Sequence, residues 1–317
     1  MIGFAYRVCR GEIDRLELDE ALSSLGSPLV WVHLSTNDDA AKDWLIEKAE
    51  IPEYIVESLT ATETRPRCDQ IAEGAFLNLR GRSTEEMSMS DPLASVRIWA
   101  VAGRVFSVAR RPLTALDLVV ASVETGLIRD PGDLIAEFAV AITTDLDPEV
   151  ADLGDALDDC EADLDGAKVF QLRREVTKVR VRSIGYRRFL SPQRAAIEKL
   201  AALPIAWLQD EDRMHLSAAA DRAARMAEEL ESIRERSALM HEALTDLRAE
   251  QIDQRSLIIS IVAMIFLPLT FLTGLLGMNV KGIPYADQPW AFDGVVWVCA
   301  VIALAISAYF IQRHWFR

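Results

Sequence analysis

The chain has 317 residues, of which 50% are hydrophobic and 26% are charged, and its formal net charge at pH 7 is -15. This length allows a soluble domain of ordinary size together with further segments. The acidic balance argues against nucleic acid as a partner, since phosphates require a basic surface, and it is compatible with cations.

The first part of the chain, residues 1–111, is predicted to be mixed α/β. Its start has no basic region followed by an apolar core, so we expect no signal peptide. Runs rich in β-branched and aromatic residues predict strands at 29–34, 75–80, 95–101 and 104–109, with a tight turn at Ala102-Gly103. Helical spacing predicts two short helices, at 38–49 (N-capped by Asn37 or Asp38) and 52–61, and a polar loop at 81–92. His33, near a strand end, is interpreted as a structural histidine.

From residue 112 the pattern turns helical. Residues 145–165 hold ten carboxylates, and seven Arg or Lys residues follow between 173 and 188. An antiparallel helical hairpin with an acidic arm and a basic arm, turning near Gly166, accounts for this pattern. Two interpretations stay open: the arms neutralise each other, or the acidic arm forms a collar that concentrates cations near a pore.

Residues 205–267 contain neither Pro nor Gly, which predicts one helix of ~60–70 residues, or ~100 Å, running into the apolar segment that follows. A row of residues on this helix repeats at alternating spacings of four and three, as in a heptad seam. The row is Met226, Leu230, Ile233, Ser237, Met240, Leu244, Leu247 and Gln251. Such a row needs a partner, either a neighbouring subunit or the domain's own helices.

The end of the chain is predicted to be a membrane hairpin. Residues 257–276 have no ionisable side chain and the ~20-residue length that crosses a bilayer, and a second apolar run covers 295–311. The predicted organisation is a soluble domain at 1–204, a stalk helix at 205–256, a first span at 257–279, an outer loop at 280–290, a second span at 291–312 and a tail at 313–317. Two helices cannot enclose a water-filled path, so transport would require several copies around an axis.

Basic residues near the membrane ends predict the orientation. Arg248 and Arg255 precede the first span, and Arg313 and Arg317 follow the second. We therefore expect both termini in the cytoplasm of a bacterial inner membrane, with the loop between the spans outside.

One face of the first span is small or hydroxylic. We call it the stripe, and it comprises Asp253, Ser256, Ser260, Ala263, Leu267, Thr270 and Gly274. It is interpreted either as a helix-packing seam or as a pore wall in which Leu267 forms a hydrophobic constriction. The same spacing extended backward reaches Asp246 and Glu242, whose carboxylates would line the cytoplasmic mouth.

The tripeptide Gly277-Met278-Asn279 ends the first span. Asn279 offers an uncharged amide oxygen, and a ring of such oxygens can hold the water shell of a hard divalent ion without stripping it. The tripeptide is therefore the candidate selectivity motif, and Asn279 is the candidate metal contact through the hydration shell.

These residues, together with Phe266-Leu267-Pro268-Leu269-Thr270-Phe271 and Gly274, resemble the CorA metal-ion transporter family. The resemblance implies an α/β cytoplasmic domain, a long stalk helix and two C-terminal transmembrane helices in a funnel-shaped homopentamer. It also implies that the first membrane helix of each subunit lines a central pore and that the Asn279 ring selects hydrated divalent cations.

The loop sequence Val280-Lys281-Gly282-Ile283-Pro284 resembles the ZntB branch of this family. This resemblance implies zinc uptake, with proton coupling as the mechanism, although Lys281 departs from the glycine typical of the branch. The alternative is a Mg²⁺, Co²⁺ or Ni²⁺ channel gated by cytoplasmic metal, and a membrane-anchored scaffold is a third possibility. We expect no cofactor, and no enzyme, since no phosphate-binding glycine loop or nucleophile elbow is found. The expected partners are further copies of the chain, membrane lipid and divalent ions, with no nucleic acid.

Overall fold

The computed structural model describes residues 2–23, 28–35, 40–62, 65–84, 93–164, 168–280, 282–283, 285 and 287–312. The chain divides into two compact units. The first comprises residues 1–164 and 170–241, and the second comprises residues 165–169 and 242–317.

The first unit contains a seven-stranded mixed sheet. Its strands are β1 (Ile2–Cys9), β2 (Glu12–Leu16), β3 (Leu29–Ser35), β4 (Arg67–Ile71), β5 (Gly74–Arg82), β6 (Leu93–Val101) and β7 (Arg104–Ala109). The spatial order is β2-β1-β3-β7-β6-β5-β4. Only the central pair is parallel in the described sheet: β3 runs beside β7 with Val32 opposite Phe106, and the other neighbours are antiparallel.

The four strands predicted from residue type are confirmed as β3, β5, β6 and β7. The tight turn between β6 and β7 is confirmed as well, with Val101 paired to Arg104 and Gly103 at a φ of 74°, where the absence of a Cβ removes the steric cost. The predicted loop at 81–92 begins too early, because Gly81 and Arg82 still pair with Ala94 and Leu93 in the sheet. Residues 85–92 lie outside the described part of the chain. Strands β1, β2 and β4 were not predicted.

Helices cover both faces of the sheet. They are α1 (Leu18–Ser23), α2 (Ala40–Glu47), α3 (Glu53–Thr60), α4 (Thr114–Glu124) and α5 (Pro131–Ala162). Alternation along β3 separates the faces: Val30, Val32 and Leu34 join the core formed with α1, α2 and α3, whereas Trp31 meets Phe138 of α5 with ring centroids 5.7 Å apart. Both predicted short helices are confirmed, while the proposed N-caps Asn37 and Asp38 lie outside the described residues.

Helix α5 is the first of three long helices, and it is followed by α6 (Val169–Ala201) and α7 (Asp210–Leu276). The two helical arms, acidic and basic, are thus confirmed as α5 and α6. The predicted turn near Gly166 lies outside the described residues. The continuous helix is confirmed as the 67-residue α7. It begins at Asp210, not at Ile205, because the carboxylate of Asp212 accepts a hydrogen bond from the Gln209 backbone N–H at 2.8 Å and so fixes the first turn.

The heptad-like row of α7 packs inside its own subunit over most of its length. Met226, Leu230, Ile233, Ser237 and Met240 are buried within the first unit. A Cβ placed on Gly154 of α5 would lie 3.9 Å from Ile233 Cδ1, so α5 passes directly over the row. The domain's own helices are therefore the partner of the row up to Met240.

Four carboxylates of the acidic arm form ion pairs with arginines of other elements. Arg82 of β5 pairs with Glu149 at 2.6 Å and with Asp145 at 3.7 Å. Arg236 of α7 pairs with Glu161 at 2.7 Å and also with Asp158. For these four carboxylates the predicted neutralisation by the basic arm is wrong, because the described ion pairs come from Arg82 of β5 and Arg236 of α7. Glu149 does meet the basic arm through a hydrogen bond from Tyr186 Oη at 3.2 Å.

Candidate ion path

The second unit contains the end of α7 and the helix α8 (Ala291–Gln312). Both helices are long and apolar enough to cross a membrane. The second predicted span, 291–312, coincides with α8. The helical part of the first span ends at Leu276, three residues before its predicted limit.

One side of α7 is partly covered in this unit. Ile261 is buried, and Leu257, Ile265, Leu272 and Leu276 are half-buried. Leu272 and Leu276 share an apolar hollow with three residues near the start of α8, which are Gly294, Val295 and Val298. This row is therefore the side of α7 that faces α8.

The stripe lies on the opposite side of α7. Counting roughly 100° per residue, most of its members lie about 120–180° around the helix from Ile261, and Asp253 and Ser260 lie about 80–100° from it. Every residue of the stripe is exposed in the single subunit, including Leu267, whose exposed fraction is 74%. Because α8 does not cover this side, it is available to other subunits or to water.

The hydroxyl groups of this segment are anchored to the helix backbone. Ser260 Oγ donates to the Ser256 carbonyl at 2.8 Å, and Thr273 Oγ1 donates to the Leu269 carbonyl at 2.9 Å. A hydroxyl that donates to the backbone retains its acceptor lone pairs for outside groups. Ser260 can therefore present an oxygen acceptor from the stripe to water or to a hydrated cation.

The tripeptide Gly277-Met278-Asn279 directly follows the helical end. The Gly277 N–H makes a helical hydrogen bond to the Thr273 carbonyl at 2.9 Å, and the next backbone bond runs from Val280 N–H to the Met278 carbonyl at 2.9 Å. A Cβ on Gly277 would lie 3.0 Å from the Thr273 oxygen, so a side chain there would disturb this turn. A Cβ on Gly274 would have no neighbour within 4 Å in the described subunit. The local backbone thus favours glycine at position 277, whereas no neighbouring atom in the described subunit requires glycine at position 274.

Met278 and Asn279 are exposed at the end of the helix, where the last backbone carbonyls also point outward along the axis. The carbonyl end of a helix carries partial negative charge and favours cations. Asn279 therefore adds its amide oxygen to an end that already attracts positive charge.

The carboxylates predicted for the cytoplasmic mouth are also exposed. Glu242, Asp246 and Asp253 lie on α7 before the apolar segment, on roughly the same side as the stripe. Between Asp253 and Gly274 the helix rises by about 30 Å. Within one subunit these residues form a long row, so they could act on one ion together only as successive rings of an assembly.

The described residues also contain a carboxylate cluster that sequence reasoning missed. Asp130, Asp133 and Asp212 bring ligand-type oxygens within 4.8 Å of one another. Asp130 caps α5 by accepting from the Gly132 and Asp133 N–H groups, and burial raises the pKa of Asp212 to about 6. These contacts explain the cluster as the joint N-terminal capping of α5 and α7. The signal for it was the Asp-Pro-Gly-Asp sequence at 130–133.

The combination of α/β unit, long helix and apolar helical pair is matched among known proteins. The chain fits the family described as CorA-like Mg2+ transporter protein over residues 26–313. The chain belongs to the CorA family. The resemblance first seen in residues 266–279 therefore extends over most of the sequence.

Among individual relatives, the zinc transport protein ZntB of Pectobacterium atrosepticum is 29% identical over 286 residues, which cover 90% of this chain and 87% of that protein. The divalent cation transporter CmaX of Pseudomonas aeruginosa is 30% identical over 310 residues, covering 97% of this chain and 90% of that protein. The solved structure of full-length CmaX superposes with a TM-score of 0.76 at 30% identity, covering 99% of this chain and 98% of that one. The predicted CorA-like fold class and the similarity to ZntB are thus confirmed.

Proposed function

We propose that this chain is one subunit of a homopentameric transporter that carries divalent cations, above all Zn²⁺, into the cytoplasm across a bacterial inner membrane. The observation that carries the proposal is the exposed stripe on the side of α7 turned away from α8, ending at Gly277-Met278-Asn279. The chain belongs to a family of transporters, and this membership also argues against an enzymatic role.

The assembly follows from the geometry of the hairpin. If α8 faces lipid, the stripes of several subunits can surround a common axis, and Ser260, Ala263 and Thr270 then line it. Leu267 would narrow this path as an apolar ring, and Asn279 would close its outer end with amide oxygens. The number five is supported by the family alone.

Zinc as the ion is supported by the relatives named ZntB and by the loop sequence after Asn279. The chain's own chemistry adds how the ion would travel. The stripe offers hydroxyl and carboxylate oxygens and no thiolate or imidazole, Asn279 adds an amide oxygen beyond its end, and Cys299 lies on α8. Neutral hydroxyl and amide oxygens compete poorly with water for the inner ligand positions of Zn²⁺, so the ion would pass these groups with its water shell.

The direction of transport rests on the predicted topology, with both termini in the cytoplasm. Glu242, Asp246 and Asp253 then form the inner mouth and lower the energy of a cation that arrives there. They are also the titratable groups through which a proton gradient could be coupled to the stripe.

Metal flux into proteoliposomes tests the proposal. The full-length protein is expected to move Zn²⁺, and an inward proton gradient is expected to accelerate the flux. The Asn279→Ala variant should lose most of the flux or its selectivity against Mg²⁺, because the amide ring would be gone. Gln288→Ala, which removes another exposed amide in the same outer segment, is the matched control and should behave like the wild type.

The outcomes separate the alternatives. A scaffold would show no metal flux and would be indifferent to Asn279→Ala. Zn²⁺ flux that is the same with and without the proton gradient would contradict proton coupling but not the transport of zinc. A protein that carries Mg²⁺ but not Zn²⁺, and whose flux is slowed by Mg²⁺ on the cytoplasmic side, would be a metal-gated channel. This channel is the second candidate, because the family is described as Mg2+ transporters.

A further inference from the structure

Helix α6 carries an exposed row of residues on the side opposite to its packed side. Buried residues recur along α6 at spacings of three and four, so they share the side turned toward the rest of the first unit. They are Leu172, Val176, Val179, Ser183, Tyr186 and Leu190. The exposed row lies about 120–180° around the helix from Leu172. We call it the α6 face, and it comprises Arg174, Thr177, Val181, Ile184 and Arg188.

Two residues at the middle of the α6 face are apolar. Val181 is 54% exposed and Ile184 is 47% exposed in the single subunit. Both are β-branched, and a helix does not favour such residues because it restricts their side chains, so helix propensity does not account for them. Covering them in an assembly would remove apolar surface from water. The α6 face thus has an apolar centre between charged ends, as protein contact surfaces have.

The charge around this apolar centre is positive. Arg174 and Arg188 end the row, and Arg182 is exposed beside it. The ion pairs of α6 in this region use other side chains: Lys178 pairs with Glu175 at 2.8 Å, and Arg187 pairs with Glu231 of α7 at 3.0 Å. The α6 face therefore keeps a basic margin after the contacts within the subunit have formed.

Helix α5 presents the opposite charge on its own outer side. It contains no Lys and no Arg. Its outer row lies about 100–180° around the helix from the buried Leu153. We call this row the α5 face, and it comprises Pro148, Asp152, Asp155, Asp159 and Ala162, all of them exposed. The four carboxylates that pair with Arg82 and Arg236 lie outside this row.

We propose that the α6 face of one subunit docks on the α5 face of a second copy of this chain. Exposed ion pairs add little energy one by one, but complementary rows of charge select the partner and its register, while Val181 and Ile184 supply apolar contact. Because the two faces lie on different helices, each subunit offers one face to each neighbour, and contacts of this head-to-tail kind close into rings. This inference rests on the homo-oligomer of the proposed function and names the soluble surfaces that hold it together.

Charge reversal in the full-length protein tests the contact, with the oligomer mass measured by mass photometry over a dilution series in detergent. The α6 variant is Arg174→Glu/Arg182→Glu, and the α5 variant is Asp152→Lys/Asp155→Lys. Each leaves like charges facing each other, so the concentration at which half of the oligomer dissociates should rise roughly tenfold. The variant that combines all four substitutions exchanges the signs of the two faces and should return to the wild-type value.

The matched control separates this rescue from an effect of net charge. Arg10→Glu/Arg104→Glu reverses two exposed arginines outside α5 and α6, and by itself it should leave the dissociation unchanged. Combined with Asp152→Lys/Asp155→Lys, it restores the wild-type net charge without restoring the complementary faces. This combination should remain as weak as the α5 variant alone.

Crosslinking between differently tagged chains shows that the contact joins two subunits. One chain carries Ile184→Cys and the other carries Ala162→Cys, and in both the partly exposed Cys9 and Cys299 are replaced by Ala. A short bismaleimide should link the two tags. Two chains that both carry Ile184→Cys should not be linked, because a head-to-tail contact brings α6 to α5 and not to a second α6.

The outcomes separate this inference from the proposed function. An oligomeric protein whose dissociation none of the reversals changes would overturn the docking and leave the assembly standing. Weakening without rescue by the combined variant would also overturn it and would indicate that the faces meet a lipid surface or another protein. A wild-type chain that is monomeric in both detergent and lipid would contradict the assembly itself.

Discussion

At the scale of single residues, His33 shows how burial fixes a protonation state. Its Nδ1 lies 2.8 Å from Ser107 Oγ, which also accepts a hydrogen bond from Trp31 Nε1 at 2.8 Å. Ser107 can donate its one hydroxyl proton to Nδ1 only while the imidazole is neutral. Burial lowers the pKa of His33 from its ordinary value of 6.5 to about 4. The interpretation of His33 as structural agrees with this arrangement.

The folded state should therefore lose stability as the pH falls from about 6.5 towards 4. The unfolded chain takes up a proton on His33 at a higher pH than the folded chain does, so protons favour unfolding. The contribution of neutral, buried His33 to the free energy of unfolding is complete above pH 6.5 and amounts to about 3 kcal/mol at most. Denaturant unfolding followed by tryptophan fluorescence should show the free-energy gap between wild type and His33→Gln narrowing over this range. A gap that stays constant from pH 7 to 4 would contradict the prediction.

At the scale of elements, α7 performs two different packing tasks along its length. In the first unit its row from Met226 to Met240 is buried, and Arg236 and Glu231 tie it to α5 and α6 through ion pairs. In the second unit Ile261 and Leu272 meet α8 while the stripe stays exposed. One continuous helix therefore joins a packed soluble unit to a hairpin with one open side.

Shortening a buried residue of the row should destabilise the first unit. Leu230 is fully buried, so Leu230→Ala would remove its side-chain contacts and leave a cavity, at a cost of roughly 2–5 kcal/mol. Leu239→Ala changes the same residue type on the same helix at a position that is 66% exposed, and it should cost far less. Unfolding midpoints of the two variants in the same detergent provide the comparison. Equal losses would mean that the row is not packed as described.

At the scale of the whole molecule, the decisive property is which side of α7 meets water in the membrane. A pore wall and a helix-packing seam both use small residues, and a single subunit exposes the stripe in either case. The two differ in whether a hydrophilic reagent can reach the stripe. This difference is measurable in the assembled protein.

A cysteine placed in the stripe should react with a water-soluble thiol reagent in proteoliposomes. The expected order is fast labelling of Ser260→Cys and slow labelling of Ile258→Cys, which is exposed in the subunit but lies on the other side of the helix. Both variants are made with Cys299→Ala, so that the membrane segment has no other thiol. Saturating Zn²⁺ should slow the labelling of Ser260→Cys only. Protection of both positions would favour the packing seam over the pore.

Much of this architecture was predictable because its signals are local. The spans follow from uninterrupted apolar length, the family from residues 266–279, and strands such as β3 and β7 from β-branched and aromatic runs. Strands β2 and β4 escaped because they lie at the edges of the sheet and carry mostly polar residues. Strand β1 is largely apolar, but Arg7, which pairs with Asp14 of β2, interrupts its pattern.

What the sequence by itself determined is that the chain ends in two membrane-length helices carrying a CorA-type motif, since length and residue order along one helix set those features. Only the tertiary structure decided which row of α7 faces α8 and that the heptad-like row is buried within its own subunit. Only the tertiary structure shows that arginines from distant positions between 65 and 188 line one cavity. Periodicity states which residues share a face, but the element covering that face comes from a distant part of the chain, and its approach depends on the order of the sheet and the packing of the helices.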